Sequence, residues 1–200
     1  MKNPYIQTIP ALTTDELVKI NSYLENTPIP RGKSTVFSNT GFREDTSVRS
    51  SVGFSLAEGD TITNMIGNSM NKALLGYQSR LGKENPILVN QNMAPGAAGT
   101  SSYREAIQVL EYSPGQQYHF HYDQNWARTE ETYYRTVSIV LYLNGGFEGG
   151  GTEFLDGVYK PNPGEALIFP SNWCFPHCGQ LVTSGLKRVA VTWYYVYPTK

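Results

Sequence analysis

The chain has 200 residues, 40% of them hydrophobic, and a formal net charge of −1, enough to close one core that removes about 70% of the unfolded surface from water. A balance so near neutrality excludes a nucleic-acid partner held by bulk electrostatics, and no run approaches the ~20 apolar residues of a membrane-spanning helix. Met1 to Pro10 has no apolar signal core and only Lys2 as a basic residue, so the chain is expected to be cytoplasmic and without a membrane partner.

The first element is a helix. Thr13 and Glu16 form a T-x-x-E capping box, with Leu12 before it and Leu17 inside it as a hydrophobic staple. Leu17, Ile20 and Leu24 recur at helical spacing, and Pro28 with Pro30 ends the run. A β-type stretch near Lys33 to Phe37 is followed by a polar loop from Ser38 to Arg49. A second helix is expected after Asp60, with Ile62, Ile66, Met70, Ala73 or Leu74, and Tyr77 on its buried face. Asn92 to Ser102, rich in Gly and Ala, reads as a mobile connection.

Beyond that connection the periodicity changes. Ile107 to Tyr112, Thr136 to Leu143, Glu165 to Phe169 and Lys187 to Tyr197 are rich in β-branched and aromatic residues and are separated by Gly, Pro and Asn. Two helices followed by many short strands predict an α+β, mainly β domain in which helices support a β-sandwich or jelly roll. The whole chain, 1–200, reads as one domain: helical support and first strands over 1–100, and the jelly-roll core over 101–200. Cys174 and Cys178 flank His177. In extended strand their α-carbons are too far apart to bridge, so they read as reduced thiols, with a loop disulfide or a zinc site as the alternatives.

His121-Tyr122-Asp123 is the motif that carries chemistry. In an extended strand alternate side chains share a face, so His121 and Asp123 project together. With His177 from a second strand they make two imidazoles and one carboxylate, the set that holds Fe(II) in non-haem oxygenases while leaving coordination positions open. His119 shares the strand face but does not stand two residues before a carboxylate, so it reads as a supporting or surface residue.

The flanks sharpen this. Tyr112-Ser-Pro-Gly115, Tyr118-His-Phe-His-Tyr-Asp123, Arg135-Thr136, Tyr142-Leu-Asn144, Gly149-Gly-Gly-Thr-Glu-Phe154, Pro163-Gly-Glu-Ala-Leu-Ile-Phe169, His177 and Gly185-Leu-Lys187 follow in order. This order and spacing resembles the prolyl 4-hydroxylase group of 2-oxoglutarate- and Fe(II)-dependent dioxygenases, over about Ile107 to Tyr197. The resemblance implies a double-stranded β-helix, with His121, Asp123 and His177 as metal ligands. Lys187 then receives the far carboxylate of 2-oxoglutarate, which needs positive charge and hydroxyl donors. Tyr142 adds a phenolic hydrogen bond, Tyr112 sits nearer the chelating end, and Trp193 walls the pocket. Thr152 lines the pocket or caps a turn, and Arg188, the fallback cation, points to the opposite face by alternation. With 14 tyrosines in the chain, a core role competes for each of these phenols.

The implied reaction uses Fe(II), 2-oxoglutarate and O2, with ascorbate as reductant, to hydroxylate an unactivated C–H bond, in proline of a peptide or protein. Hydroxylation of a free amino acid or small metabolite is the alternative, and a non-catalytic jelly-roll binding module the more distant one. A halogenase is disfavoured because Asp123 fills the position halide would need. Trp126, Tyr133 and Tyr134, in the segment between Asp123 and Arg135, are expected to form a substrate lid, and Ser38–Arg49 with Asn92–Ser102 to border the site. Nothing in the sequence assigns an oligomeric state.

Overall fold

The computed structural model describes residues 3–38, 41–88, 103–124 and 133–196. Helix α1 (Thr14–Asn26) starts as its capping box requires: Thr13 Oγ1 accepts from the Glu16 amide at 3.3 Å, and the Thr13 amide donates to Glu16 Oε2 at 2.8 Å. Helix α2 (Thr61–Glu84) is capped by Asp60, whose carboxylate accepts from the amides of Ile62 and Thr63. Its Ile66, Met70, Ala73, Leu74 and Tyr77 are buried, as the helical spacing predicts.

The strands run β1 (Gln7–Pro10), β2 (Gly32–Lys33), β3 (Thr35–Ser38), β4 (Gly41–Glu44), β5 (Val52–Ser55), β6 (Tyr103–Arg104), β7 (Gln108–Tyr112), β8 (Tyr118–His121), β9 (Tyr134–Tyr142), β10 (Glu148–Gly149), β11 (Thr152–Phe154), β12 (Gly157–Tyr159), β13 (Glu165–Pro170), β14 (His177–Gly179), β15 (Val182–Ser184) and β16 (Lys187–Val196). The main sheet has the order β1-β13-β9-β16-β7-β5-β2, with β6 also on β16, and a smaller sheet has the order β12-β11-β14-β8. Together they form the double-stranded β-helix.

Two faces of the main sheet bury different things. Toward the helices, Ile139, Leu141, Ile168, Ala190 and Tyr194 join Ile20, Leu24, Ile66, Met70 and Leu74 in one cluster. Toward the barrel interior, Leu110, Tyr112, Tyr142, Val189, Val191 and Trp193 form a second. Phe154, Tyr159, Leu167 and Phe169 form a third cluster. Strand β16 contributes alternate residues to the first two, the period-2 pattern of a strand covered on both sides. That parity turns Lys187 inward with Val189 and Val191, and Arg188 toward the helices with Ala190.

Three expectations need correction. The stretch Ser38–Arg49 is not only a polar loop: Gly41–Glu44 pairs residue by residue with Thr35–Ser38 as a hairpin, with too short an apolar run in its sequence to announce itself as a strand. The β-type stretch Lys33–Phe37 is two strands interrupted at Ser34, whose amide and hydroxyl both turn to Ser51. Asp123 does not lie in a strand with His121, because β8 ends at His121. The proposed connection Asn92–Ser102 lies outside the described residues.

Candidate metal centre and its cavity

Antiparallel pairing of β14 with β8 sets His177 directly opposite His121, and the chain leaving β8 brings Asp123 between them. Donor atoms of the three side chains all lie within 4.8 Å of one another. The His121 and His177 Nε2 atoms are 3.5 and 3.7 Å from the two Asp123 oxygens. Each imidazole turns its Nδ1 to a backbone carbonyl, His121 to His119 O at 2.8 Å and His177 to Phe175 O at 3.1 Å. These contacts place the proton on Nδ1 and leave each Nε2 lone pair free for a cation, the arrangement typical of metal-ligating histidines.

The electrostatics agree. Burial pushes His177 down to about 4, so its ring is neutral at physiological pH. Burial alone would raise the Asp123 carboxyl, but the imidazoles of His177 and His121 and the Ser138 hydroxyl together hold it well below the usual carboxylate range. Two imidazoles and one carboxylate suit a divalent first-row metal. Three protein donors leave coordination positions open, as a catalytic centre needs and a closed four-ligand structural site does not.

The centre opens into a cavity of about 800 Å³ that also receives Lys187, Tyr112, Thr152 and Trp193. Lys187 is 3% exposed. Its Nζ donates to Gly150 O at 2.6 Å and lies 5.1–5.2 Å from the rings of Tyr142 and Tyr112. Among the described residues no carboxylate lies within 4 Å of it. Burial, with Lys160 nearby, pushes its ammonium down to about 7. A buried cation without a counter-ion among the described residues, in the same cavity as an open metal centre, fits a ligand that carries a carboxylate. The Tyr142 and Thr152 hydroxyls hydrogen-bond each other at 3.0 Å, so Thr152 lines the cavity and does not merely cap a turn. Arg188 lies on the other face, paired with Glu111 at 2.9 Å.

A family model described as the 2OG-Fe(II) oxygenase superfamily matches residues 107–196, the span that contains every one of these groups. Over that span the chain is similar to the 2OG-Fe(II) oxygenase superfamily. A protein of Acanthamoeba polyphaga mimivirus described as a putative prolyl 4-hydroxylase is 32% identical over 136 residues, 58% of this chain. That match spans 56% of the relative's own length. The fold resembles that of a viral collagen prolyl hydroxylase from Paramecium bursaria Chlorella virus-1, solved with 2OG. The TM-score is 0.62 at 22% identity, covering 96% of both chains. It also resembles a prolyl hydroxylase from Trichoplax adhaerens solved with a hypoxia inducible factor peptide fragment, with a TM-score of 0.64 at 18% identity, covering 98% of this chain and 84% of that one.

The cavity also gathers polar residues to which the sequence reading gave no role. Tyr118 stacks on His121 with ring centroids 3.6 Å apart. Arg49, contributed from outside the matched span, is 7% exposed, lies 4.8 Å from the Tyr118 ring and lines the cavity. Arg135 donates to both oxygens of Glu105 at 2.6 and 2.8 Å and sits 3.8 Å over Trp193. Tyr-x-x-His spacing was the one signal available for Tyr118. Arg135 stands in the Arg135-Thr136 motif without an assigned role, and Arg49 is a lone charge with no pattern around it. Of the expected lid, Tyr133 lines the cavity and stacks 4.0 Å from Tyr195, Tyr134 opens β9, and Trp126 lies outside the described residues. His119 is exposed and apart from the metal group. Cys174 and Cys178 are free, the first exposed and the second buried, so the disulfide is not formed, and neither joins a metal-binding group among the described residues.

Proposed function

We propose that the chain is an Fe(II)- and 2-oxoglutarate-dependent dioxygenase that hydroxylates proline in a peptide or protein. The observation that carries this reading is the pairing, within one cavity, of an open two-histidine, one-carboxylate centre with a buried lysine that has no counter-ion among the described residues. His121, Asp123 and His177 would hold Fe(II), and Lys187 with the Tyr142 and Thr152 hydroxyls would receive the far carboxylate of 2-oxoglutarate. When bound, iron, 2-oxoglutarate and O2 supply the oxidising power: the oxo-acid is decarboxylated to succinate and CO2, and one oxygen atom is delivered to the substrate C–H bond.

The protein's own contribution is positional and electrostatic. The Nδ1 contacts to His119 and Phe175 carbonyls fix both imidazoles as donors. Lys187, held beside two aromatic rings, orients the cosubstrate by one charge at the end of an otherwise apolar wall. Val189, Val191 and Trp193 exclude water from that end. The same cavity is also lined by Thr35, Val36 and Arg43 of the β3–β4 hairpin and by Arg49. A cavity wall carried on a hairpin suits an extended segment laid along it, which supports a peptide substrate. The superfamily relatives described as prolyl hydroxylases support proline as the target.

The test is to incubate the Fe(II)-loaded protein, with ascorbate as proposed reductant, with a panel of proline-containing peptides and free amino acids. Succinate and product mass are followed together. Hydroxylated peptide with matching succinate supports the proposal. Turnover confined to free amino acids transfers the site to a small-metabolite hydroxylase.

A further inference from the structure

The strand ladder accounts for the positions of His121 and His177 but not for Asp123, which follows the end of β8. A carboxylate two residues beyond a strand swings freely unless something else fixes it. Three contacts converge on this segment. The Gln124 amide donates to Ser171 O at 2.8 Å, Arg135 Nη1 donates to Asp123 O at 3.3 Å, and Ser138 Oγ donates to Asp123 Oδ2 at 2.7 Å. Ser138 Oγ and Ser171 Oγ are themselves 2.8 Å apart, and both residues are 1% exposed.

The direction of this chain is settled by counting hydrogens. An ionised carboxylate only accepts, so the single Ser138 proton is committed to Asp123, and Ser171 must donate to Ser138. Each hydroxyl polarises the next, and between two buried residues the chain is stiffer than either bond alone. It also separates the two carboxylate oxygens: Oδ2 accepts from Ser138, while Oδ1 faces His121 Nε2 at 3.5 Å.

We infer that Ser138 and Ser171 form a two-hydroxyl clamp that positions the Asp123 carboxylate for one-oxygen metal binding. They are positioning residues, not ligands. The inference rests on the reading of His121, Asp123 and His177 as a metal centre and adds what holds its least constrained member. Ser138 comes from β9, where it pairs with Phe169 on one side and Trp193 on the other. Ser171 follows Pro170 at the end of β13. The clamp thus ties Asp123 to two adjacent strands of the main sheet, across the barrel from the histidines' own sheet.

The experiment is titration of the full chain with Co(II) alone, read by its visible absorption, for the unaltered protein and for Ser138→Ala, Ser171→Ala and Ser138→Thr. Loss of a group that orients a metal ligand typically weakens binding by roughly 10- to 100-fold. We expect that loss in S138A with a changed absorption envelope, a smaller loss in S171A, and near-normal affinity and spectrum in S138T, which keeps the donor. Metal-free thermal unfolding is expected to separate the variants far less than metal affinity does. If the unaltered protein binds no Co(II), the metal reading fails and the clamp with it. If the protein binds Co(II) but S138A matches it in affinity and spectrum, or S138T behaves like S138A, the metal reading stands and the clamp is overturned. Should S138A not fold, S171A and S138T decide on the same criteria.

Discussion

Replacing Lys187 with Met should move stability and cosubstrate binding in opposite directions. The side chain is fully enclosed and its ammonium is pushed from 10.5 down to about 7, which at 1.36 kcal/mol per unit corresponds to a desolvation cost of at most about 5 kcal/mol. The sign follows from linkage. The unfolded chain keeps this proton up to about 10.5 and the folded chain only to about 7, so the cost is fully present below pH 7 and fades as pH rises toward 10.5. Methionine removes the cost with similar volume, but leaves Gly150 O without the donor it now has at 2.6 Å, a loss of about 1–3 kcal/mol. The net is a gain of about 2 kcal/mol at pH 7, or roughly 4–8 °C in midpoint for a chain of this size. For 2-oxoglutarate the same change leaves a carboxylate unpaired in a largely dry pocket, at about 2–5 kcal/mol. The Michaelis constant should therefore rise by about 30-fold to a few thousand-fold. Differential scanning fluorimetry and steady-state succinate assays read the two effects. Unchanged 2-oxoglutarate dependence in K187M would refute the assignment of Lys187, and a large loss of stability would refute the claim that it lacks a counter-ion.

For the unaltered enzyme, the Michaelis constant for 2-oxoglutarate should be flat below pH 7 and climb by up to tenfold per pH unit above it, as free Lys187 loses its proton; a steady-state pH series of the wild type and of K187R, which stays charged, should show the slope only in the former. Arg188→Ala should leave that constant nearly unchanged but cost about 1–3 kcal/mol of stability, since it removes one of two guanidinium partners of Glu111 behind the sheet and leaves Arg31 at 2.9 Å, as chemical denaturation would report. His121→Ala or His177→Ala should abolish metal-dependent succinate production with circular dichroism retained. Gly185→Ala should destabilise by about 1–3 kcal/mol in the same denaturation assay, because Gly185 has φ +73° and an added Cβ would run into the Gly146 carbonyl.

How far the sequence could be read depended on whether a residue's role had a local period. Thr13 with Glu16, and the 3.6-residue spacing of Ile66, Met70 and Tyr77, are self-contained signals, and both helices begin where those signals say. The alternation in β16 separated Lys187 from Arg188 correctly because both faces of that strand are buried. Asp123 shows the limit: a two-residue spacing looks the same whether the strand continues or stops, and here it stops, handing the carboxylate to Ser138, which is backed by Ser171. Those partners, like Arg49, are single polar residues brought in by long-range pairing, and nothing beside them in the chain announces their destination. The β3–β4 hairpin was obscured for a related reason, since its few apolar residues stand amid polar ones.

The most direct measurement is a turnover under ¹⁸O2 of the Fe(II)-loaded protein with 2-oxoglutarate and a proline-rich peptide, analysed by mass spectrometry. One labelled oxygen should appear in hydroxyproline and one in succinate, in equal amounts, and both signals should vanish in the His177→Ala protein. Label in succinate with none in any peptide would contradict proline hydroxylation, and no labelled succinate from a protein that binds iron would contradict the oxygenase assignment itself.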